Sequence, residues 1–155
     1  MGCFRSIVNL EPLNVFIRYE NFKMENLDST SFILRERDLL AKLDLKDAYL
    51  TVPMHPSHQK YLRFTWKGRI FQFNCLAFGL APAPRCFTKI LKVVAAFLRR
   101  QGMRLIVYLD DILIMNISKD NTKADVDKVV ELLQNLGFLI NWEKSIVPRQ
   151  HHSVF

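Results

Sequence analysis

The sequence predicts an α+β fold, in which helices lie on one face of an antiparallel sheet. Strand-like runs and helical patterns alternate irregularly along the 155 residues, which is typical of this class. The dipeptide Lys67-Gly68 separates two runs of strand character and indicates a β-hairpin. Hydrophobic residues make up 50% of the chain and charged residues 24%, which excludes a disordered or fibrous protein.

The first half of the chain carries four predicted strands and one helix. Residues 4–10 form a strand candidate before a turn that contains proline, and residues 24–37 have the leucine, isoleucine and charge content of a helix. Residues 41–45 read as a strand that ends in an acidic residue. The hairpin joins residues 61–66 to residues 69–74.

Two amphipathic helices dominate the second half. The apolar residues of 85–100 recur at the helical period, and Pro82 and Pro84 suit its first turn. These apolar residues are Phe87, Ile90, Leu91, Val94 and Leu98. A second helix is predicted over residues 122–136, with Gly137 as its C-terminal stop. Further strands are predicted at residues 105–109, 112–117 and 138–141.

The chain is basic, with 22 Lys and Arg against 15 Asp and Glu, a net charge of +7 and a pI near 9.5. An anionic partner is therefore expected, and nucleic acid is the commonest such partner. Arg85, Lys89, Lys92 and Arg99 share the polar face of the first long helix. That face could follow a nucleic-acid backbone, or it could be an ordinary solvated face.

Several classes of protein are excluded or disfavoured by the sequence. No apolar run approaches the ~20 residues of a membrane span, and no signal peptide is evident. The three cysteines are odd in number and widely spaced, which disfavours a disulfide framework and a Cys-x-x-Cys zinc site. An intracellular protein, cytoplasmic or nuclear, without membrane association is expected, and its oligomeric state is unknown from the sequence.

Acidic residues mark the ends of two predicted strands. Asp110 and Asp111 are adjacent between apolar runs, and Asp44 lies near the end of residues 41–45. Adjacent carboxylates repel each other, and a divalent cation would offset that repulsion. Three such carboxylates can hold two Mg²⁺ ions, or Mn²⁺ ions, about 3.5–4 Å apart. A solvent-facing turn is the alternative for the Asp pair.

Five ordered segments resemble the motifs of reverse transcriptases. Tyr108-Leu109-Asp110-Asp111 resembles motif C, and the segment from Leu43 to Tyr49 resembles motif A. The other three are residues 78–87, similar to motif B, residues 5–10 with 13–14, similar to the fingers strand before motif A, and residues 136–145, similar to motif D. Ala77 departs from the proline that these elements usually carry.

The resemblance implies a role for each matching residue. Asp44, Asp110 and Asp111 would be the catalytic, metal-binding carboxylates, and the Leu45 carbonyl would be a further metal ligand. Nucleotide-binding roles are implied for Arg5, Asp47, Ala48, Tyr49, Phe78 and Gly79. Within that set, Tyr49 would select deoxynucleotides by clashing with a 2′-hydroxyl, and an ordinary core tyrosine is the alternative.

The implied protein is an RNA-directed DNA polymerase from a retrotransposon, with a DIRS-like element first and a gypsy-like element second. Its partners would be an RNA or DNA template with its primer, and deoxynucleoside triphosphates. The chain would be one fragment of a right-hand polymerase, in which residues 1–40 and 53–76 are fingers and residues 41–52 and 77–155 are palm. Neither a thumb nor an RNase H domain is expected. The alternatives are an inactive, basic nucleic-acid-binding remnant and another palm-type two-metal enzyme.

Overall fold

The computed structural model describes residues 8–25 and 33–148, and it confirms the α+β class. The chain divides into two compact units. We call Met1–Phe22 with Asp47–Phe87 the hairpin unit, and Lys23–Lys46 with Thr88–Phe155 the sheet unit. No helix in the described part of the chain has both the length and the apolar character that a membrane span requires.

The helices and strands have the following bounds. The helices are α1 (Glu11–Asn14), α2 (Pro56–Gln59), α3 (Ala83–Arg100) and α4 (Lys119–Asn135), with 3₁₀ turns at Ala48–Thr51 and Lys60–Leu62. The strands are β1 (Leu39–Lys46), β2 (Arg63–Trp66), β3 (Arg69–Gln72), β4 (Arg104–Tyr108), β5 (Asp111–Asn116) and β6 (Leu139–Ile140).

The sheet unit is built on a four-stranded antiparallel sheet in the order β4-β5-β1-β6. Alternate residues of β1 point to one face, and Ala41, Leu43 and Leu45 on that face are at most 2% exposed. Helix α4 packs against β1, β5 and β6. Its buried residues include Val126, Val129 and Leu133, which fall one helical turn apart. This burial fixes the register of β1, because a slip by one residue would turn its apolar side chains to the other face.

The ion pair between Arg99 and Glu25 makes hydrogen bonds to the outer edge of β4. Arg99 lies 2.7 Å from the Glu25 carboxylate and also donates to the Leu105 carbonyl. The same carboxylate accepts the backbone N–H of Val107 at 2.8 Å. The Leu105 carbonyl and the Val107 N–H are therefore satisfied at this edge without another strand, which helps to hold the strand that leads into Asp110.

A second ion pair anchors the far end of the sheet. Arg104 donates from Nη1 and Nη2 to the two carboxylate oxygens of Asp38, each at 2.5 Å. The hydrogen bond from Arg104 holds the pKa of the Asp38 carboxyl below its usual range, although desolvation acts in the opposite direction.

The hairpin unit contains the β2–β3 hairpin that Lys67-Gly68 predicts. Lys67 and Gly68 have φ of 48° and 72°, and positive φ at both loop positions is the pattern of a type I′ turn. Phe64 stacks on Phe71 across the hairpin, with ring centroids 5.7 Å apart. The core of this unit is formed by Leu10, Leu62, Leu76, Ala77, Leu80 and Ala83.

Two of the predicted elements differ from the structure. Residues 8–10 of the predicted strand 4–10 have no regular structure, and α1 follows them directly; residues 4–7 lie outside the described part. Of the predicted helix 24–37, residue 33 is helical, residues 24–25 and 34–37 are not, and residues 26–32 lie outside the described part. The division into palm and fingers segments stays a prediction.

Candidate active site at the ends of two strands

The three predicted catalytic carboxylates belong to neighbouring backbone positions of the sheet unit. Asp44 on β1 and Asp111 on β5 are direct partners in the antiparallel register. Asp110 precedes Asp111 in the turn from β4, and its carbonyl accepts the N–H of Leu45 at 2.9 Å. Asp44 is buried, whereas Asp110 and Asp111 are half-buried. The structure therefore brings all three residues to one place.

The turn between β4 and β5 has only two loop residues. Tyr108 and Asp111 pair across it, which leaves Leu109 and Asp110 as the loop. Leu109 has a φ of 51°, and a side chain in the left-handed region is disfavoured by about 1–2 kcal/mol. Such a tight turn presents Asp110 and Asp111 next to the strand end rather than on a long loop.

The backbone of Asp44 is braced by the segment that follows β6. Its N–H donates to the Ser145 hydroxyl at 3.0 Å, and that hydroxyl donates to the Asn141 carbonyl at 2.8 Å. The Asp44 carbonyl in turn accepts the Asn141 N–H at 2.8 Å. These three bonds hold the strand at the position of the carboxylate.

A lysine lies against the carboxylates. The Nζ of Lys42 is 2.9 Å from Oδ1 of Asp111. The pKa of Lys42 is raised by its close contact with the Asp111 carboxylate, with smaller contributions from the charges of Asp111, Asp44 and Asp110 and against the effect of desolvation. Lys42 therefore places a positive charge beside this acidic cluster.

The donors at this site suit a hard divalent cation. Carboxylate oxygens are the ligands that Mg²⁺ and Mn²⁺ prefer. Oδ1 of Asp111 is buried, and within the described residues it has no partner with hydrogen-bond geometry. However, no three His, Cys, Asp or Glu side chains within residues 8–25 and 33–148 already form a group that could hold a metal ion. The ligand chemistry is present, and the carboxylates would have to reorient to use it.

The sequence matches a family model over residues 5–154, described as reverse transcriptase (RNA-dependent DNA polymerase). The chain belongs to this family. The reverse transcriptase domain is 27% identical over 149 residues to a genome polyprotein of Petunia vein clearing virus, covering 96% of the chain and 7% of that polyprotein. It is 24% identical over 143 residues to the transposon Tf2-3 polyprotein of Schizosaccharomyces pombe, covering 92% of the chain and 11% of that polyprotein. The chain thus spans a small part of these relatives.

Solved structures of reverse transcriptases share the fold of this domain. A foamy viral protease-reverse transcriptase solved in complex with double-stranded DNA has a TM-score of 0.83 at 20% identity, over 94% of this chain and 25% of that one. A foamy viral protease-reverse transcriptase in complex with an RNA/DNA hybrid has a TM-score of 0.76 at 19% identity, over 92% and 19% of the two chains. The predicted fold class is confirmed.

In the hairpin unit of the reverse transcriptase domain, Tyr49 is half-buried in an aromatic cluster. Its ring centroid lies 5.2 Å from that of Phe78 and 5.2 Å from that of Phe87. The edge-to-face arrangement with Phe87, which is fully buried, fixes the orientation of the tyrosine ring. Tyr49 is thus part of the packing of this unit, and its predicted contact with the nucleotide sugar stays a prediction.

The other predicted nucleotide-binding residues have distinct backbone conformations. Asp47 adopts a φ of 49° as it caps the 3₁₀ turn that begins with the buried Ala48. Gly79 has a φ of 86°, and its carbonyl accepts the Asn14 side-chain amide at 2.8 Å. Arg5 lies outside the described residues. The predicted roles of these residues, and of the Leu45 carbonyl, stay predictions.

The four predicted nucleic-acid-binding cations of α3 are in different environments. Arg85 forms an ion pair with Glu20, and Arg99 forms the pair with Glu25 described above. Lys92 donates to the Lys23 carbonyl at 2.8 Å, and Lys89 is exposed. Two of these charges are therefore compensated within the chain, so the basic face is weaker than the sequence indicates. Nucleic-acid binding by this face stays a prediction.

Sequence reasoning missed two residues of this site, Lys42 and Ser145. Lys42 interrupts the apolar strand two positions before Asp44, and residues two apart share a face of a strand. That spacing was a usable signal for Lys42. The hydrogen bond from Asp44 to Ser145 joins residues 101 positions apart, and a contact of that range has no local signature.

Proposed function

We propose that this chain carries the catalytic centre of an RNA-directed DNA polymerase, which transfers deoxynucleotides to a primer 3′ end under the direction of a template. The observation that carries the proposal is the register of the sheet, which places Asp44 opposite Asp111 and ties Asp110 to Leu45. Family membership supports the same conclusion.

The proposed mechanism depends on position and charge rather than on covalent chemistry. Asp44, Asp110 and Asp111 would hold two Mg²⁺ ions, or Mn²⁺ ions, with the Leu45 carbonyl as a further ligand. The bound ions would supply positive charge to the attacking hydroxyl and to the leaving pyrophosphate. The short turn and the Ser145 brace fix the backbone of the carboxylates, which lowers the reorganisation needed during the reaction.

The proposed substrates are deoxynucleoside triphosphates and a template annealed to its primer. The foamy viral structures that share this fold were solved with double-stranded DNA and with an RNA/DNA hybrid, which supports nucleic acid of either kind as the partner. In this proposal Arg5 and the backbone N–H groups of Asp47 and Ala48 bind the triphosphate. Phe78 and Gly79 border the nucleotide, with Tyr49 under its sugar.

The proposed source is a retroelement. The segments that resemble motifs A, B and D favour a DIRS-like element, with a gypsy-like element as the second choice. The similarity to a transposon polyprotein and to a viral genome polyprotein agrees with a retroelement. The palm and fingers assignment given above is part of the same proposal.

The test is primer extension on an RNA template with Mg²⁺. The wild-type chain should extend the primer, and extension should cease when a chelator removes Mg²⁺. Asp110→Asn should reduce deoxynucleotide incorporation by at least about a hundredfold. Asp127→Asn removes the same charge from an exposed position on α4 and should extend as wild type does. Equal incorporation by wild type and Asp110→Asn would contradict the catalytic assignment.

A second arm tests the sugar selection assigned to Tyr49. Tyr49→Ala should incorporate ribonucleotides more readily relative to deoxynucleotides, because the bulk that excludes a 2′-hydroxyl is gone. Tyr61→Ala, at a residue that is 57% exposed in the same unit, is the matched control. An unchanged ratio in Tyr49→Ala would remove Tyr49 from this role.

A further inference from the structure

We propose that Lys42 holds the Asp111 carboxylate in the metal-free protein and competes with a divalent ion for it. This inference rests on the proposed function, since it concerns the same carboxylates. It makes Lys42 a positioning residue, which acts through Asp111 and sets how readily the site takes up metal.

The geometry places Lys42 on the same side of the sheet as the carboxylates. It precedes Asp44 by two residues on β1, so the two side chains share a face. Across the strand pair Lys42 is opposite Leu113, which puts Asp111 at the adjacent diagonal position. The ammonium reaches this position, with Nζ 2.9 Å from Oδ1 of Asp111.

The ion pair occupies the oxygen that a metal would need. Oδ1 of Asp111 is buried, and its contact with Lys42 has the distance of an ion pair without the angles of a hydrogen bond. A contact of this kind attracts through charge and imposes little direction, so it can be exchanged for a metal–oxygen bond. Within the described residues, no three metal-ligating side chains already form a metal site. This agrees with an Asp111 carboxylate that points to Lys42 instead of to a shared metal position.

In the metal-free state, the charge of Lys42 offsets the negative charge of the neighbouring carboxylates. Asp44, Asp110 and Asp111 repel one another at close range, and a neighbouring cation reduces that repulsion. The same cation opposes the approach of a divalent ion, because like charges repel at the distances within a single site. Removing the charge of Lys42 should therefore strengthen metal binding, although it removes an attractive contact from the fold.

The test is a Mn²⁺ titration of the chain followed by electron paramagnetic resonance, without nucleotide or nucleic acid. Lys42→Met and Lys42→Gln should each bind Mn²⁺ about tenfold more tightly than wild type, and Lys42→Arg should bind as wild type does. The matched control is Lys46→Met, which removes the same charge from an exposed position on the same strand face and should change the affinity by less than twofold.

The direction of the change separates this role from a structural one. A lysine that only stabilised the fold would weaken Mn²⁺ binding when replaced, so equal or weaker binding by both Lys42→Met and Lys42→Gln would overturn the inference. If wild type binds Mn²⁺ and neither variant binds more tightly, only the role of Lys42 is wrong. If no form of the chain binds Mn²⁺, the proposed metal site and this inference are both wrong.

Discussion

The hydroxyl of Ser145 accepts the backbone N–H of Asp44, and removing that hydroxyl should destabilise the strand at the carboxylate. Ser145→Ala deletes two hydrogen bonds, one from Asp44 at 3.0 Å and one to the Asn141 carbonyl at 2.8 Å. The Asp44 N–H then loses its acceptor at a buried position of the sheet. The substitution therefore tests whether this brace holds the catalytic strand.

The expected magnitude follows from the unsatisfied donor. A buried donor without a partner costs about 1–3 kcal/mol, whereas the packing lost with the hydroxyl oxygen of the half-buried Ser145 adds little. For a chain of 155 residues, the unfolding entropy corresponds to about 3 °C of melting temperature for each kcal/mol. Ser145→Ala should thus lower the melting temperature by about 3–9 °C.

Thermal unfolding followed by circular dichroism measures this shift, and amide hydrogen exchange shows where it arises. Ser145→Thr keeps the hydroxyl and is the matched control, with an expected shift of less than half that of Ser145→Ala. The Asp44 amide should exchange faster in Ser145→Ala than in wild type. A melting temperature and an Asp44 exchange rate equal to those of wild type would refute the brace.

Three further predictions concern the fold that supports the site. Leu43→Ala should lower the free energy of unfolding by about 2–5 kcal/mol in a denaturant titration. Leu40→Ala, at a 47% exposed residue of the same strand, should lower it by less than about 1 kcal/mol. Equal losses would contradict the assignment of Leu43 to the buried face of β1. The lowered pKa of Asp38 means that its pair with Arg104 stabilises the fold above the usual pKa of the carboxyl and is lost as the pH falls through the lower, folded value. Asp38→Asn should therefore flatten the fall of stability below about pH 4, and an unchanged acid profile would contradict this. Gly68→Ala should lower stability by about 1 kcal/mol, because the residue has a φ of 72°; an unchanged melting temperature would argue against the type I′ turn.

Local patterns predicted the elements that carry the site. The apolar runs around Asp110 and Asp111 predict β4 and β5, and the hairpin at Lys67-Gly68 follows from the turn chemistry of those two residues. The helical period predicts α3 within two residues at its start. These features depend on neighbours along the chain, which a sequence displays directly.

Tertiary packing decided the details that the helical period missed. The helical period groups Ile90 with the apolar face of α3, yet Ile90 is 37% exposed, whereas Thr88 and Ala95 are buried. The sequence leaves the polar face of the same helix open to a nucleic-acid backbone or to solvent, yet Arg85 and Arg99 are paired with Glu20 and Glu25. These acids lie more than 60 positions away in the chain, so no local pattern could indicate the pairs.

The measurement that tests the central claim most directly is the binding of Mn²⁺ by wild type and by Asp44→Asn. Asp44 is the carboxylate that β1 contributes opposite Asp111. The wild-type chain should bind Mn²⁺, and Asp44→Asn should weaken binding by at least about tenfold, which is the lower range for the loss of groups that only support a metal ligand. Asp127→Asn should leave binding unchanged. Equal Mn²⁺ affinity in wild type and Asp44→Asn, or no binding by wild type, would contradict a metal site at this strand end.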